Sequence, residues 1–341
     1  MKAIAFEEPG LIKSIDIAEP SEPGPGQALV RTHRVGVCGT DIGGFLGKMP
    51  LFQYPRIPGH ELGVEVLAVG DGVTNVSQGD RCSVEPYMNC GTCFPCRQGN
   101  SNCCTSLKVI GVMQDGGLRD RFLIRADKLH KSAKLSFEQL ALVETLAIGA
   151  HAVGRGGARA GEDVLVIGAG PIGLSVIEFV RLAGARITVM DLSEDRLAFC
   201  QNAYGIDQLV RSGSDSDEIT TLSKLTGGDL YPLVIDATGS HHAMSAALDY
   251  LAPTGRLVYV GITAQNVSFP HKTMHLREAT LLSSRNALPS EFRPIIEHIE
   301  QGRIDTDRWI TRRMPFADVA SQFAELTTPA PGAIKTIIEL A

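Results

Sequence analysis

The segment DVLVIGAGPIGLSVIEFVRLAGARITVMD, residues 163–191, leaves the chain little choice of local fold. It opens on a continuous apolar run, DVLVIG, the pattern of a strand buried on both faces. Three closely spaced glycines then lead into a run of helical period from Pro171 to Ala183, and a second apolar strand, RITVMD, follows. Strand, glycine turn, helix and strand make a βαβ unit with parallel strands, because a helix has to carry the chain back across the sheet between them. The alternation continues with a predicted helix from Arg196 to Ala203, a strand from Leu233 to Thr238 and a helix from His242 to Leu251. A strand ending at Gly261 and another in ATLLSSR complete a doubly wound α/β sheet.

The first part of the chain has another texture. Residues 1 to about 145 are rich in Gly and Pro and read as short strands, such as Gln27 to Arg34 and Gly63 to Val69, between turn signals like GPG and DG. This is the pattern of an irregular all-β barrel. Helices around Ser290 to Glu300 and Phe316 to Leu326 and a final strand, KTIIEL, are expected to return to that first domain. The expected domains are therefore 1–147 with 286–341, and 148–285. Two domains also suit 341 residues, more than one hydrophobic core commonly sustains. There is no internal repeat, and SGSDSDE at 212–218 is the one polar stretch expected to be mobile.

A net charge of −6 and a pI near 5.9, without a basic run, exclude a nucleic-acid or anionic-membrane surface and leave a small molecule as the expected partner. The sequence starts directly in strand-like alternation, with no apolar signal segment, and no apolar stretch reaches the ~18 to 20 residues that cross a bilayer. A cytoplasmic protein without membrane spans is expected. In that setting the eight cysteines are metal ligands or buried thiols rather than disulfides.

Gly168, Gly170 and Gly173 form G-x-G-x-x-G between a strand and a helix, the context in which the pattern binds a dinucleotide. Gly168 permits the tight turn, Gly170 lets backbone approach a pyrophosphate, and Gly173 lets helix and strand pack closely, while Pro171 and Ile172 open the helix toward the anion. The second strand ends in Asp191, placed to accept hydrogen bonds from the adenosine ribose and to repel a 2′-phosphate, which favours NAD over NADP. Arg196 nearby softens that preference, and the alternative role for Asp191 is to cap the next helix.

Two cysteine-bearing patterns point to zinc. Cys90, Cys93, Cys96 and Cys104, spaced C-x2-C-x2-C-x7-C, match a closed tetrahedral structural site. An iron–sulfur cluster is the weaker alternative, and Cys82, Cys103 and Cys200 are read as non-ligating. The second set is dispersed: Cys38 in GVCGTD, His60 and Glu61 in PGHE, and Glu144 in LVETLAIGAHAV. Each alone has a plain structural explanation. Together they supply the mixed thiolate, imidazole and carboxylate ligands of a catalytic zinc, which polarises an alcohol oxygen and eases the departure of hydride from its carbon. Thr40, two residues after Cys38, is placed to pass the released proton outward.

With these motifs in order along essentially the whole chain, the sequence resembles the zinc-containing medium-chain dehydrogenase/reductase family. Within it, YPRIPGHELGVEV, NCCTSLKVIGVMQDGG and SSRNA are similar to the polyol and sugar-acid branch of sorbitol, L-threonine, and L-galactonate or L-gulonate 5-dehydrogenases. The resemblance implies a GroES-like β-barrel catalytic domain plus a Rossmann domain, two zinc ions and NAD, and a homodimer or homotetramer. It also implies that Cys38, His60 and either Glu61 or Glu144 hold the catalytic zinc, the other carboxylate standing by. Two departures stand out: Gly43 occupies a position where many relatives have a histidine of the proton relay, and Gly63 is shifted relative to the usual glycine after GHE. Arg285 and Asn286 follow the last sheet strand, in a segment that approaches the substrate in relatives, where Arg285 would grip a carboxylate and Asn286 a hydroxyl. The alternatives are a sorbitol-type or L-threonine dehydrogenase and, in another class, a non-catalytic NAD- and zinc-binding protein.

Overall fold

The computed structural model describes residues 1–213, 217–328 and 330–340. It divides into two compact units, one of residues Met1–Glu144 with Leu288–Ala341 and one of Thr145–Ala287. The middle of the polar stretch, residues 214–216, lies outside the described residues.

In the second unit six parallel strands form one sheet, among the described residues. Across it lie Leu209–Arg211, Arg186–Asp191, Asp163–Ile167, Tyr231–Asp236, Leu251–Tyr259 and Thr280–Ser283. Numbered along the chain, this is the order 3-2-1-4-5-6 of the doubly wound dinucleotide-binding sheet. The order in which strands are added reverses between Asp163–Ile167 and Tyr231–Asp236, so the carboxyl ends of those two parallel strands mark the switch point where such sheets bind ligands. Val164, Leu165, Val166, Leu233, Val234 and Ile235 are all fully buried, as their unbroken apolar runs require.

The first unit is built on a seven-stranded, mainly antiparallel sheet, among the described residues. Its long central strand, Gln27–Gly36, pairs along one edge with Glu61–Val69. Its other edge is shared between Arg121–Arg125 and the final strand Lys335–Glu339. The bend that this sharing imposes encloses a core in which Phe6 meets Phe323 at 5.1 Å, Phe52 at 5.8 Å and Phe45 at 6.0 Å between ring centroids. Each such ring contributes about 1.5 to 3 kcal/mol by leaving water. Phe45 thereby fixes the short helix Gly39–Phe45 that follows Cys38.

A twenty-residue helix, Phe137–Gly156, carries Glu144. Ser136 and Gln139 start it with a reciprocal capping box, each side chain accepting the other's backbone N–H. Two expected helices are corrected. The one at 242–251 is α-helical only over His241–Ala246 and gives way to a 3-10 turn, because fully buried Leu251 already pairs with Tyr231 in the sheet. The one at 316–326 breaks into a 3-10 turn, the short helix Val319–Gln322 and a second 3-10 turn. There Ser321 and Thr327 donate their hydroxyls to the carbonyls three residues back, competing with the α ladder. No helix among the described residues is long and apolar enough to cross a membrane.

Candidate active site

Strand register assembles the dispersed donor set. Gln27–Gly36 ends two residues before Cys38, and Glu61–Val69 begins at Glu61, directly after His60. The strands are antiparallel with Gly36 opposite Glu61, so the end of one lies beside the start of the next. Cys38, His60 and Glu61 thus bring thiol, imidazole and carboxylate atoms within 4.8 Å of one another. The final strand then adds a cation. Ile337 pairs with Gly36, which sets the buried Lys335 beside the group, its Nζ donating to Glu61 Oε1 at 2.7 Å and Oε2 at 2.8 Å. Only glycine fits at position 36, where a Cβ would stand 2.0 Å from Glu61 Oε2.

Cys38 caps the helix Gly39–Phe45, and its N–H donates to Asp41 Oδ2 at 2.9 Å. The other oxygen, Asp41 Oδ1, faces His60 Nδ1 at 3.6 Å, and both atoms are buried without a hydrogen-bond partner. Burial pushes the Asp41 carboxyl up, against the pull of the His60 charge. At His60 burial opposes the charged ring, yet Asp41 and Cys38 outweigh it and hold the imidazole well above its usual range. Glu144 is buried on its helix and accepts the Tyr87 hydroxyl at 2.5 Å, with burial raising its carboxyl. It stands outside the three-donor cluster, although its charge is felt at His60 and Lys335. Acidic groups thus outnumber the two basic ones, and the donor types are those of a catalytic zinc. Cys38, His60 and Glu61 are donors that suit a divalent cation.

Thr40 is partly exposed on the first turn of the Gly39–Phe45 helix, and Gly43 lies on the same helix with ordinary room for a Cβ, 3.6 Å from Met49. Gly63 has a definite steric reason. A Cβ there would meet the Phe137 carbonyl oxygen at 2.0 Å, so the shifted glycine admits the start of the Glu144 helix.

The sulfurs of Cys90, Cys93, Cys96 and Cys104 also lie within 4.8 Å of one another. Cys90 Sγ and Cys104 Sγ are 3.5 Å apart, well beyond a disulfide bond of about 2.05 Å, and all eight cysteines are free. Backbone N–H groups point at the sulfurs: Cys93 N–H donates to Cys90 Sγ at 3.4 Å, and Cys90 and Ser106 N–H to Cys104 Sγ at 3.3 and 3.4 Å. Backbone N–H groups of Cys96 and Thr105 pull the Cys93 thiol down to about 6, whereas burial carries Cys104 up to about 11. Four sulfurs in a closed group suit a structural zinc. Cys103 is exposed beside them and outside the group, and burial pushes Cys82 and Cys200 up to about 12.

In the second unit Gly168 follows the Asp163–Ile167 strand with φ of 94°, a conformation that favours glycine. Gly170 is the N-cap of the helix Pro171–Leu182 and offers no side chain to its N–H groups, leaving them for a phosphate. Gly173 packs so tightly that a Cβ would lie 1.7 Å from the Gly168 carbonyl oxygen. Asp191 ends the adjacent strand and accepts the N–H of Ala169 at 2.6 Å and of Ser193 at 2.8 Å, tying the glycine loop to the carboxylate. The helix cap is Ser193 rather than Asp191. Arg196 Nη1 lies 3.9 Å from Asp191 and faces Gly170. Arg285 is exposed, and Asn286 is left-handed at φ of 51° with a buried, unpartnered amide nitrogen.

Sequence reasoning missed Asp41, Tyr87 and Lys335. Only Lys335 left a signal, a lysine in an otherwise core-like strand, which has to find an anion if it is buried.

Comparison with known proteins agrees with this chemistry. The alcohol dehydrogenase GroES-like domain model matches residues 24–134 and the zinc-binding dehydrogenase model matches residues 171–301. L-Galactonate-5-dehydrogenase of Escherichia coli (strain K12) is 36% identical over 301 residues, covering 88% of each chain. D-Altritol 5-dehydrogenase of Agrobacterium fabrum is 33% identical over 332 residues, covering 95% of this chain and 96% of its own. The crystal structure of an alcohol dehydrogenase, rspB, from E. coli CFT073 complexed with NADH superposes with a TM-score of 0.92 at 27% identity, covering 100% of this chain and 99% of that one. The chain belongs to the zinc-containing medium-chain dehydrogenase/reductase family, in its polyol and sugar-acid branch, and is a zinc-type alcohol dehydrogenase.

Proposed function

We propose that this enzyme oxidises a secondary alcohol of a sugar acid of the L-galactonate or L-gulonate kind, with NAD as hydride acceptor. The observation that carries the reading is the cluster of partly buried Cys38 with buried His60 and Glu61. In this reading residues 1–147 and 286–341 are the catalytic domain and residues 148–285 bind the dinucleotide. Cys38, His60 and Glu61 would hold the catalytic zinc, with Glu144 as the standby carboxylate, and Cys90, Cys93, Cys96 and Cys104 a structural zinc. Zinc, when bound, supplies Lewis acidity that stabilises negative charge developing on the alcohol oxygen.

The chain's own groups prepare the rest. Two hydrogen bonds from Lys335 hold the Glu61 carboxylate in place, and Asp41 Oδ1 faces the His60 ring at 3.6 Å. The Thr40 hydroxyl receives the alcohol proton and passes it outward. Gly168, Gly170, Pro171, Ile172 and Gly173 seat the pyrophosphate on the helix N-terminus, and Asp191 accepts the ribose hydroxyls and disfavours a 2′-phosphate. NADH in the rspB structure supports the same choice. The similarity to L-galactonate-5-dehydrogenase supports a sugar acid, as does the unpartnered amide of Asn286 beside Arg285. Arg285 would grip the carboxylate and Asn286 a hydroxyl. The similarity to D-altritol 5-dehydrogenase favours a second reading, a polyol without a carboxylate. A cytoplasmic homodimer or homotetramer completes the proposal, and light scattering after size exclusion measures the subunit number.

Incubating the zinc-loaded protein with NAD or NADP and a panel of polyols, aldonates and L-threonine tests the reading at 340 nm. Turnover of an aldonate with NAD, at least tenfold faster than with NADP, is the expected result. Turnover of polyols alone selects the second reading, and a preference for NADP overturns the role given to Asp191.

A further inference from the structure

The two carboxylates near Cys38 and His60 are held in different ways. Glu61 faces the Lys335 ammonium with both oxygens, whereas Glu144 receives a neutral donor, the Tyr87 hydroxyl, at one oxygen. Tyr87 is 2% exposed, so its hydroxyl has no water to return to.

The backbone that presents this hydroxyl is itself fixed from both sides. Just before it, the buried Glu85 is ion-paired with the buried Lys128, and His130 Nε2 lies 3.4 Å from the other Glu85 oxygen. Tyr87 then pairs with Val109 in a two-residue ladder, Tyr87–Met88 against Lys108–Val109. Just after it, the Asn89 carbonyl accepts Arg125 Nη1 at 2.7 Å, and the next residue is Cys90 of the four-sulfur group. Among the described residues the hydroxyl's hydrogen bond ends on Glu144.

We propose that Tyr87 is a positioning residue for the zinc-dependent reaction, its hydroxyl holding the Glu144 carboxylate at a fixed reach from the Cys38, His60 and Glu61 donors. The assignment rests on the proposed function of that donor set. Without the hydroxyl Glu144 loses its aim while the ring still fills its place in the core.

The test uses holoenzyme with both zinc ions, as wild type, Tyr87→Phe, Glu144→Gln and the double variant. The rate at which a chromogenic chelator withdraws the faster zinc is measured together with kcat and KM. Loss of an outer partner of a metal site commonly costs 10–100-fold, so Tyr87→Phe is expected to release that zinc about tenfold faster and to lower kcat about tenfold with little change in KM. Because Tyr87 acts through Glu144, the double variant is expected to match Glu144→Gln alone. A Tyr87→Phe protein within twofold of wild type in release and kcat overturns the assignment, as does a double variant whose losses multiply. A Tyr87→Phe protein that fails to fold while Glu144→Gln folds also overturns it, because the hydroxyl is then a requirement of the fold. Wild-type protein that binds only one zinc contradicts the proposed function itself, a result distinct from any of these.

Discussion

Replacing Gly36 by alanine is the sharpest steric test of the donor cluster, because the residue lies opposite Glu61 in the sheet and the three atoms nearest to an added Cβ all belong to that side chain. A Cβ at position 36 would stand 2.0 Å from Glu61 Oε2, 3.0 Å from its Cβ and 3.1 Å from its carboxyl carbon. Ordinary contact begins at 3.4 Å, so the carboxylate has to retreat by the difference between 3.4 and 2.0 Å, about 1.4 Å. That movement breaks at least one of the two bonds from Lys335, leaving a buried ammonium partly uncompensated. Breaking a buried pair outright costs about 3 to 5 kcal/mol, and at roughly 2 to 4 °C per kcal/mol the melting transition should fall by about 6 to 20 °C. It should also remove one zinc per chain and most of the activity. Gly39→Ala is the control, since a Cβ there meets nothing within 4 Å although the residue adjoins Cys38. Calorimetry paired with metal analysis of the two variants is the assay. A Gly36→Ala protein that melts within 2 °C of wild type and keeps both zinc ions would show that Glu61 does not need the space at position 36.

The glycine loop separates fold from function in the same way. Gly173→Ala drives a Cβ to 1.7 Å from the Gly168 carbonyl and should cost about 1 to 3 kcal/mol of stability in denaturant titration. Gly170→Ala meets only the Arg196 guanidinium, at 3.6 Å, and should leave stability unchanged while weakening NADH about tenfold by calorimetric titration. Asp236 is fully buried and its carboxyl is raised to about 6 from 3.8, chiefly by burial. The folded state therefore holds that proton more tightly, and the group's contribution is full below pH about 4 and lost as pH rises through about 6, a swing of roughly 3 kcal/mol. Asp236→Asn should remove that slope, so the stability of variant minus wild type should grow between pH 4 and 7 in paired melts. Stripping the four-sulfur zinc with a thiol-reactive mercurial should release one zinc and lower the melting transition by about 10 °C, with the four sulfurs of the group titrated in addition to the exposed Cys103.

What the sequence made legible was whatever is local in the chain. The strand, glycine loop, helix and strand of residues 163–191 follow from apolar runs and backbone freedom, and four cysteines inside one short loop meet without help from the rest of the fold. Cys38, His60 and Glu61 were legible as residue types, but their meeting depends on the register that sets Gly36 against Glu61, which no local pattern states. Lys335 reaches Glu61 across 274 residues and Tyr87 reaches Glu144 across 57, so neither partnership leaves a spacing to read. The choice between the two glutamates was open for that reason, since it turns on partners supplied from elsewhere. The 316–326 segment was misread because buried Val319 and Phe323 have helical spacing, while Ser and Thr hydroxyls draw the ends into 3-10 turns.

Metal analysis of wild type and Cys38→Ala, each titrated with NADH and assayed for turnover, decides whether Cys38 holds a catalytic zinc. Two zinc ions per wild-type chain, one in Cys38→Ala, equal NADH affinity in both proteins, and turnover only in wild type are expected. A wild-type chain with fewer than two zinc ions, or a Cys38→Ala chain that keeps both zinc ions and its turnover, would contradict that role.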